Sequence, residues 1–334
     1  MQNNRIKSSK ILLSIVVPLF NEEANVDPLL KNIQTAMMHY KQSWELIVVD
    51  DGSSDNTMQN LERAVSQFNS GIKIIQLQRN FGQTAAMQAG IDHALGQVIV
   101  TLDGDLQNDP KDIPDMVSYL LDNNLDLVVG WRRSRKDSFV RIIPSWIANR
   151  LIGYVTGVKL HDYGCSLKSY RASVIKPVRL YGEMHRFIPA WIATATSLSR
   201  VDEMVVRHYP RKYGSSKYGL SRTFRVVLDL LSIYFFMRFK SKPGHFFGAI
   251  GLILGFLGGI ILTYLAIVKF VYGEDIGTRP LLLVGVVLVI SSIQLFTTGV
   301  ISELLSRTYF ESAKAKPYVI RDTIEKKKDE YETS

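Results

Sequence analysis

The sequence predicts an α/β protein, a mostly parallel sheet domain followed by interfacial amphipathic helices and two transmembrane helices. Three observations carry that expectation. Short β-rich runs alternate with stretches of helical apolar spacing through the first two-thirds of the chain, the beat of strand-helix units in a parallel sheet. Acidic and polar residues fall just past the ends of several of those runs, at the edge where open α/β sheets bind ligands. Residues 246–268 and 281–302 are uncharged runs of about 20 residues each, long enough to cross a bilayer.

Taken in order, residues 11–18, 44–50, 73–77, 98–103 and 125–129 read as strands. Asn21 and Glu22 follow the first, Asp50 and Asp51 the second, and Asp103 and Asp105 the fourth. No repeat or low-complexity linker interrupts this part, so residues 1–220 read as one domain of ordinary size. Residues 221–243 mix Phe224, Val227, Leu228 and Leu231 with Arg222, Arg225 and Arg238, as a helix lying at a bilayer surface does. Residues 139–155 are a second candidate of that kind, against the alternative of an ordinary packed helix. Residues 244–308 hold the two spans and residues 309–334 form a tail.

Charge sets the orientation. Arg238, Lys240 and Lys242 precede the first span, and Lys314, Lys316, Lys326, Lys327 and Lys328 follow the second. The intervening link balances Lys269 and Arg279 against Glu274 and Asp275. Positive residues at both outer ends predict an inner-membrane protein with the soluble domain and both termini in the cytoplasm. A secretory signal is not expected, because residues 1–10 are polar and the apolar stretch after them is short and broken by Ser14 and Pro18. Cys165 is the single cysteine, which excludes an intramolecular disulfide, and it is assigned no chemistry. Net charge of +9 accompanies no nucleic-acid module, so nucleic acid is not an expected partner. Gly251, Gly255, Gly258 and Gly259 would allow close helix packing within or between subunits, which leaves a homo-oligomer open.

Three constellations carry chemistry. Asp103-Gly104-Asp105 follows an apolar strand, and its glycine allows a tight turn that projects two carboxylates into one loop. Hard oxygen donors of this kind suit Mg²⁺ or Mn²⁺ with positions left for phosphate oxygens, and Gln107 offers a third oxygen. An acidic turn alone is common; its place at a strand end beside a second acidic loop favours the metal reading. That second loop, Asp50-Asp51-Gly52-Ser53-Ser54-Asp55, can accept hydrogen bonds from a base or ribose. The third is basic: Arg132, Arg133, Arg135 and Arg141, and later Arg211, Lys212 and Lys217, suited to phosphate or to a surface facing anionic lipid. Neither G-x-G-x-x-G after a strand nor G-x-x-x-x-G-K-[ST] occurs, so dinucleotide oxidoreductase and P-loop readings lose their main support.

With these pieces in place, the sequence resembles family 2 glycosyltransferases of the GT-A (Rossmann-like) fold, closest to the branch that loads sugars onto polyprenyl phosphates such as undecaprenyl phosphate. The residues that carry the resemblance are Ile15-Val16-Val17-Pro18-Leu19-Phe20-Asn21-Glu22-Glu23, Val48 to Asp55, Arg79-Asn80-Phe81-Gly82, Asp103 to Gln107, Asp162 to Arg171 and Gly214 to Tyr218. It implies that Pro18, Asn21, Glu22, Asp50, Asp51 and Asn80 contact a nucleotide-sugar and that Asp103, Asp105 and Gln107 hold the metal. It further implies that Arg132, Arg141, Ser145, Arg211 and Lys217 surround the lipid phosphate. Asp162 joins Asp103 and Asp105 among the expected catalytic residues, orienting the sugar or the basic groups. The Q-x-x-R-W signature of processive members is absent, which favours transfer of a single sugar. UDP-glucose is the leading donor by resemblance, with GDP-mannose and UDP-aminoarabinose derivatives behind it. A flippase component and a non-catalytic nucleotide-sugar-binding protein are the alternatives of different class.

Overall fold

The computed structural model describes residues 11–68, 71–133, 153, 157–180, 184–193, 196–210, 243–312 and 317–326. The chain divides into two compact units, residues 1–227 with 316–334, and residues 228–315. Both surface-helix candidates, 139–155 and 221–243, fall outside the described residues apart from Gly153 and Pro243.

Among the described residues, the first unit is built on eight strands: β1 (Leu13–Leu19), β2 (Trp44–Asp50), β3 (Gly71–Leu77), β4 (Val98–Thr101), β5 (Leu127–Trp131), β6 (Lys168–Arg171), β7 (Val201–Val205) and β8 (Ile320–Lys326). Their order in the sheet is β7-β5-β6-β4-β1-β2-β3-β8. β1 pairs in parallel with β2 and β4, β2 with β3, and β5 with β7. β6 runs antiparallel between β4 and β5, and β8 antiparallel to β3. The expected mostly parallel α/β fold is therefore what forms.

Sequence pattern explains the layering. β1 is apolar almost throughout and every residue in it is buried, as a central strand covered on both faces requires. Its one polar residue, Ser14, donates to Glu45 Oε1 at 2.6 Å, so the buried hydroxyl is satisfied. Helix α1 (Val26–Met37) buries Val26, Leu29, Leu30, Ile33 and Met37, the 3-4 spacing of one helical face. Helix α2 is Thr57–Gln67, α3 is Gln83–His93 and α4 is Ile113–Asp122. α3 is buried continuously from Thr84 to Ile91. Short helices α5 (Ala172–Ile175) and α6 (Ile188–Ala193) follow.

The chain leaves β1, builds β2 and β3 on one side, and then returns to place β4 on the other. That reversal opens a crevice at the C-terminal ends of β1 and β4, where this architecture binds ligands.

Among the described residues, the second unit comprises helices α7 (Pro243–Tyr272) and α8 (Pro280–Ser312). Phe246–Tyr272 and Pro280–Ser302 are each long and apolar enough to cross a membrane. Gly251, Gly255 and Gly258 lie against α8: an added Cβ would come within 3.1 Å of Ser292 O, 2.7 Å of Ser292 Oγ and 3.0 Å of Gly285 O respectively. These glycines serve close packing inside one chain. At Gly259 an added Cβ would meet nothing within 4 Å.

The stretch after residue 308 holds more than a tail. Its strand β8 extends the sheet at β3, where Lys73 Nζ lies 3.7 Å from Glu325 Oε2 and Tyr318 donates to Asp92 Oδ2 at 2.8 Å.

Candidate active site

The loops after β1 and β2 are braced to each other. Asn21, at φ 52°, donates its N–H to Ser53 Oγ at 2.9 Å, and its side-chain oxygen accepts from the Ser54 N–H at 2.8 Å. The N–H of Glu22 reaches Thr57 Oγ1 at 2.9 Å, and the N–H of Asn56 reaches Glu23 Oε2 at 3.0 Å. Asp50 ends β2 fully buried; burial raises its carboxyl pKa, opposed by hydrogen bonds from Ser53 and Gln76. Asp51 is 2% exposed, and its two oxygens accept from the N–H groups of Phe81 (2.8 Å) and Gly82 (2.9 Å). Burial raises the Asp51 pKa, and those two donors oppose it. Gly52 between these loops sits at φ +66°, and a Cβ there would come within 2.4 Å of the Arg79 carbonyl carbon. Pro18 is buried in β1, whereas Asn80 is exposed on the turn after β3.

β4 ends at Thr101 and delivers Asp103-Gly104-Asp105 into the crevice. Any side chain at position 104 would strike Leu19, since a Cβ would lie 1.9 Å from its Cδ2. Leu106, at φ 62°, completes the sharp turn, and Asp105 Oδ1 accepts the Gln107 N–H at 3.2 Å. Asp103 Oδ1 accepts from Gln83 Nε2 at 2.8 Å, and the Ser166 hydroxyl also donates to Asp103. Burial, and next the charge of Asp105, push the Asp103 carboxyl up to about 6. A carboxylate whose ionisation is opposed by burial and by a neighbouring negative charge suits a divalent cation, which would relieve that opposition. Among the described residues no group of three or more His, Cys, Asp or Glu converges. A cation here would therefore complete its shell with water, ligand oxygens and the Gln107 amide oxygen, the sparse protein coordination that Mg²⁺ and Mn²⁺ favour.

Beyond Asp103 the site is organised by charge. Arg132, just past β5, makes a two-pronged bond to Asp162, with Nε at 2.7 Å from Oδ2 and Nη2 at 3.0 Å from Oδ1. Asp162 also caps the next turn by accepting the Gly164 N–H at 3.1 Å. Of the two sequence roles for Asp162, orienting a basic group is the one these contacts support. Lys168 is buried and donates to the Cys165 carbonyl; burial lowers its pKa, with Cys165, Asp162 and Asp103 opposing. The Cys165 thiol is buried and pushed up to about 11 by that burial, which agrees with assigning it no chemistry.

The structure thus places Asn21, Glu22, Asp51, Asp103, Asp105 and Gln107 in loops past the parallel strands β1, β2 and β4, with Asp50 ending β2, Arg132 just past β5 and Asp162 in the loop before β6. Arg141, Ser145, Arg211 and Lys217 lie outside the described residues. Sequence reasoning missed Gln83, Ser166 and Lys168 as site residues. Gln83 directly follows the Arg79-Asn80-Phe81-Gly82 turn, and the other two sit in the Asp162 to Arg171 stretch, so position was their only signal.

A mostly parallel α/β sheet with a D-x-D turn at the crevice beside an acidic loop defines a GT-A glycosyltransferase domain. Comparison with known proteins agrees. The family profile described as "Glycosyl transferase family 2" matches residues 14–179. A dodecaprenyl-phosphate galacturonate synthase from Rhizobium johnstonii is 61% identical over 310 residues, covering 92% of each chain. An undecaprenyl-phosphate 4-deoxy-4-formamido-L-arabinose transferase from Shewanella sediminis is 33% identical over 314 residues, covering 93% of this chain and 92% of that one. Among solved structures, glucosyl-3-phosphoglycerate synthase from Mycobacterium tuberculosis, crystallised with Mn²⁺, UDP and phosphoglyceric acid, superposes with a TM-score of 0.52. It is 19% identical and covers 67% of this chain and 78% of that one, a likeness of fold. The chain belongs to glycosyltransferase family 2 and is a polyprenyl-phosphate sugar transferase. The flippase and non-catalytic alternatives give way to an enzyme.

Proposed function

We propose that the protein transfers one galacturonate residue from its UDP derivative to a polyprenyl phosphate at the cytoplasmic face of the inner membrane. The observation that carries the sugar assignment is the 61% identity, along nearly the whole chain, to a dodecaprenyl-phosphate galacturonate synthase. Glucose, the donor expected from resemblance, gains no support from the polyprenyl-phosphate relatives; the glucosyl enzyme among the solved structures is too distant to speak for substrate. A formamido-arabinose donor is the second reading, resting on relatives near one-third identity.

In this reading Asn21, Glu22, Asp50 and Asp51 frame the nucleotide, with Pro18 beneath them and Asn80 at the rim. Asp103, Asp105 and Gln107 would hold Mg²⁺ or Mn²⁺, which when bound neutralises the diphosphate and makes it a better leaving group. The lipid phosphate is anionic near neutral pH and attacks the anomeric carbon from the face opposite the diphosphate. It needs little help from a general base, and the linkage inverts. Arg132, aimed by Asp162, offsets repulsion between the two anions as they approach, together with Arg141, Ser145, Arg211 and Lys217.

Chain connectivity supports the membrane topology. β8 follows α8 yet pairs with β3, which precedes α7. If α7 and α8 both span, their outer ends connect into one sheet and so lie on the same side. The positive residues at both outer ends favour the cytoplasm as that side.

The test is a donor panel: purified protein in detergent or nanodiscs, undecaprenyl or dodecaprenyl phosphate, Mn²⁺, and UDP-galacturonate against UDP-glucose and the UDP-formamido-arabinose derivative. UDP-galacturonate is expected to lead by about 100-fold in kcat/KM, since a site built for a polar substituent discriminates strongly against its absence. Equal or better use of UDP-glucose would overturn the assignment.

A further inference from the structure

Asp103 is held from two sides. Its Oδ1 accepts from Gln83 Nε2 at 2.8 Å, and the Ser166 hydroxyl donates to the same carboxylate. Each donor is itself anchored. Gln83 opens α3 immediately after Phe81 and Gly82, whose N–H groups are fixed by Asp51 at 2.8 and 2.9 Å. Ser166 Oγ accepts from Asn108 Nδ2 at 2.9 Å, and its carbonyl accepts from Thr101 Oγ1 at 2.8 Å. Hydrogen bonds, together with the backbone step from Gly82 to Gln83, therefore join the acidic loop after β2 to Asp103 and on to the turn that precedes β6.

We infer that Gln83 and Ser166 are positioning residues that fix the orientation of the Asp103 carboxylate for cation binding, acting through Asp103 and touching neither cation nor sugar. This rests on the reading of Asp103 as a metal ligand. The physical ground is that a carboxylate rotates freely unless its oxygens are bonded. A ligand locked before the cation arrives loses less freedom on binding, and partners of ligating groups commonly govern affinity for that reason.

The experiment titrates the full-length protein with Mn²⁺ in the presence of UDP, reading free Mn²⁺ by its electron paramagnetic resonance signal. The variants are Gln83→Met, Ser166→Ala, Ser166→Thr and the control Asp103→Asn. Gln83→Met and Ser166→Ala should each weaken Mn²⁺ binding by about 10- to 100-fold. Ser166→Thr, which keeps the hydroxyl, should stay close to wild type, and UDP binding without metal should be unchanged in all. Mn²⁺ affinity unaltered in both Gln83→Met and Ser166→Ala overturns the inference. So does a parallel loss of metal-free UDP binding, which would mark a general collapse of the site. Unaltered affinity in Asp103→Asn overturns the underlying metal reading instead. If Ser166→Ala fails to fold, the half-buried Gln83 decides through Gln83→Met alone.

Discussion

The two sides of the crevice are built by different physics. On the β1–β2 side, loops are tied by hydrogen bonds among Asn21, Ser53, Ser54, Glu23, Asn56 and Thr57, with Asp51 spent on backbone N–H groups. On the β4–β6 side, burial and the charge of Asp105 raise the Asp103 carboxyl, while Asp162 and Lys168 are buried and Arg132 nearly so. On the first side the carboxylates are also raised by burial, but hydrogen bonds from Ser53, Gln76, Phe81 and Gly82 oppose that rise from within the protein. The second carries electrostatic opposition that a cation and phosphates would relieve, and that contrast separates scaffold from chemistry.

The sharpest way to break the contrast is at Asp162. Its side chain is 5% exposed and that of Arg132 is 14%, so Asp162→Asn strands a nearly buried guanidinium. A loss of about 3–5 kcal/mol in stability is expected, read as a lower melting temperature and denaturant midpoint. A neutral result would mean that Arg132 finds another partner and that the charged side is less constrained than its geometry shows.

Asp103→Asn separates stability from activity. The folded-state pKa of about 6 lies above the ordinary 3.8, so folding disfavours the ionised form, and at pH 7 that carboxylate costs stability. The variant should melt slightly higher while transferring sugar about 10²- to 10³-fold more slowly. By the same sign, wild-type affinity for Mn²⁺ should fall as pH drops through 6, about tenfold per unit, because the proton competes for the ligand. Activity that survives in Asp103→Asn would remove the metal from the account.

The smallest effect belongs to the β1–β2 side. Ser53→Ala removes the acceptor of the Asn21 N–H, a part-buried bond, and should cost about 1 kcal/mol with little change in the Mn²⁺ requirement. A large shift in metal dependence there would show that the two sides are not separable.

How much of this was readable in the sequence follows from the range of each interaction. Asp103-Gly104-Asp105 and Asp50-Asp51 were legible because strand-end position and local turn chemistry lie within a few residues. The crevice followed from the strand-helix beat. Arg132 and Asp162 each stand out in the sequence, but their pairing does not, since they are 30 positions apart and nothing local joins them. Lys168 and Ser166 gave no signal of their roles, because burial of a lysine depends on how β6 inserts antiparallel between β4 and β5. β8 was missed for a related reason. Ile-Arg-Asp-Thr-Ile-Glu-Lys is charged and mostly exposed, as an edge strand should be, and reads as a solvated tail until β3 offers it an edge.

The most direct measurement is formation of labelled lipid from radiolabelled UDP-galacturonate and dodecaprenyl or undecaprenyl phosphate by the purified protein, with Mn²⁺ or Mg²⁺ and with excess chelator. A galacturonosyl polyprenyl phosphate is expected that forms with metal and vanishes with chelator. Undiminished product in chelator, or no product from this donor while another sugar is transferred, would contradict that expectation.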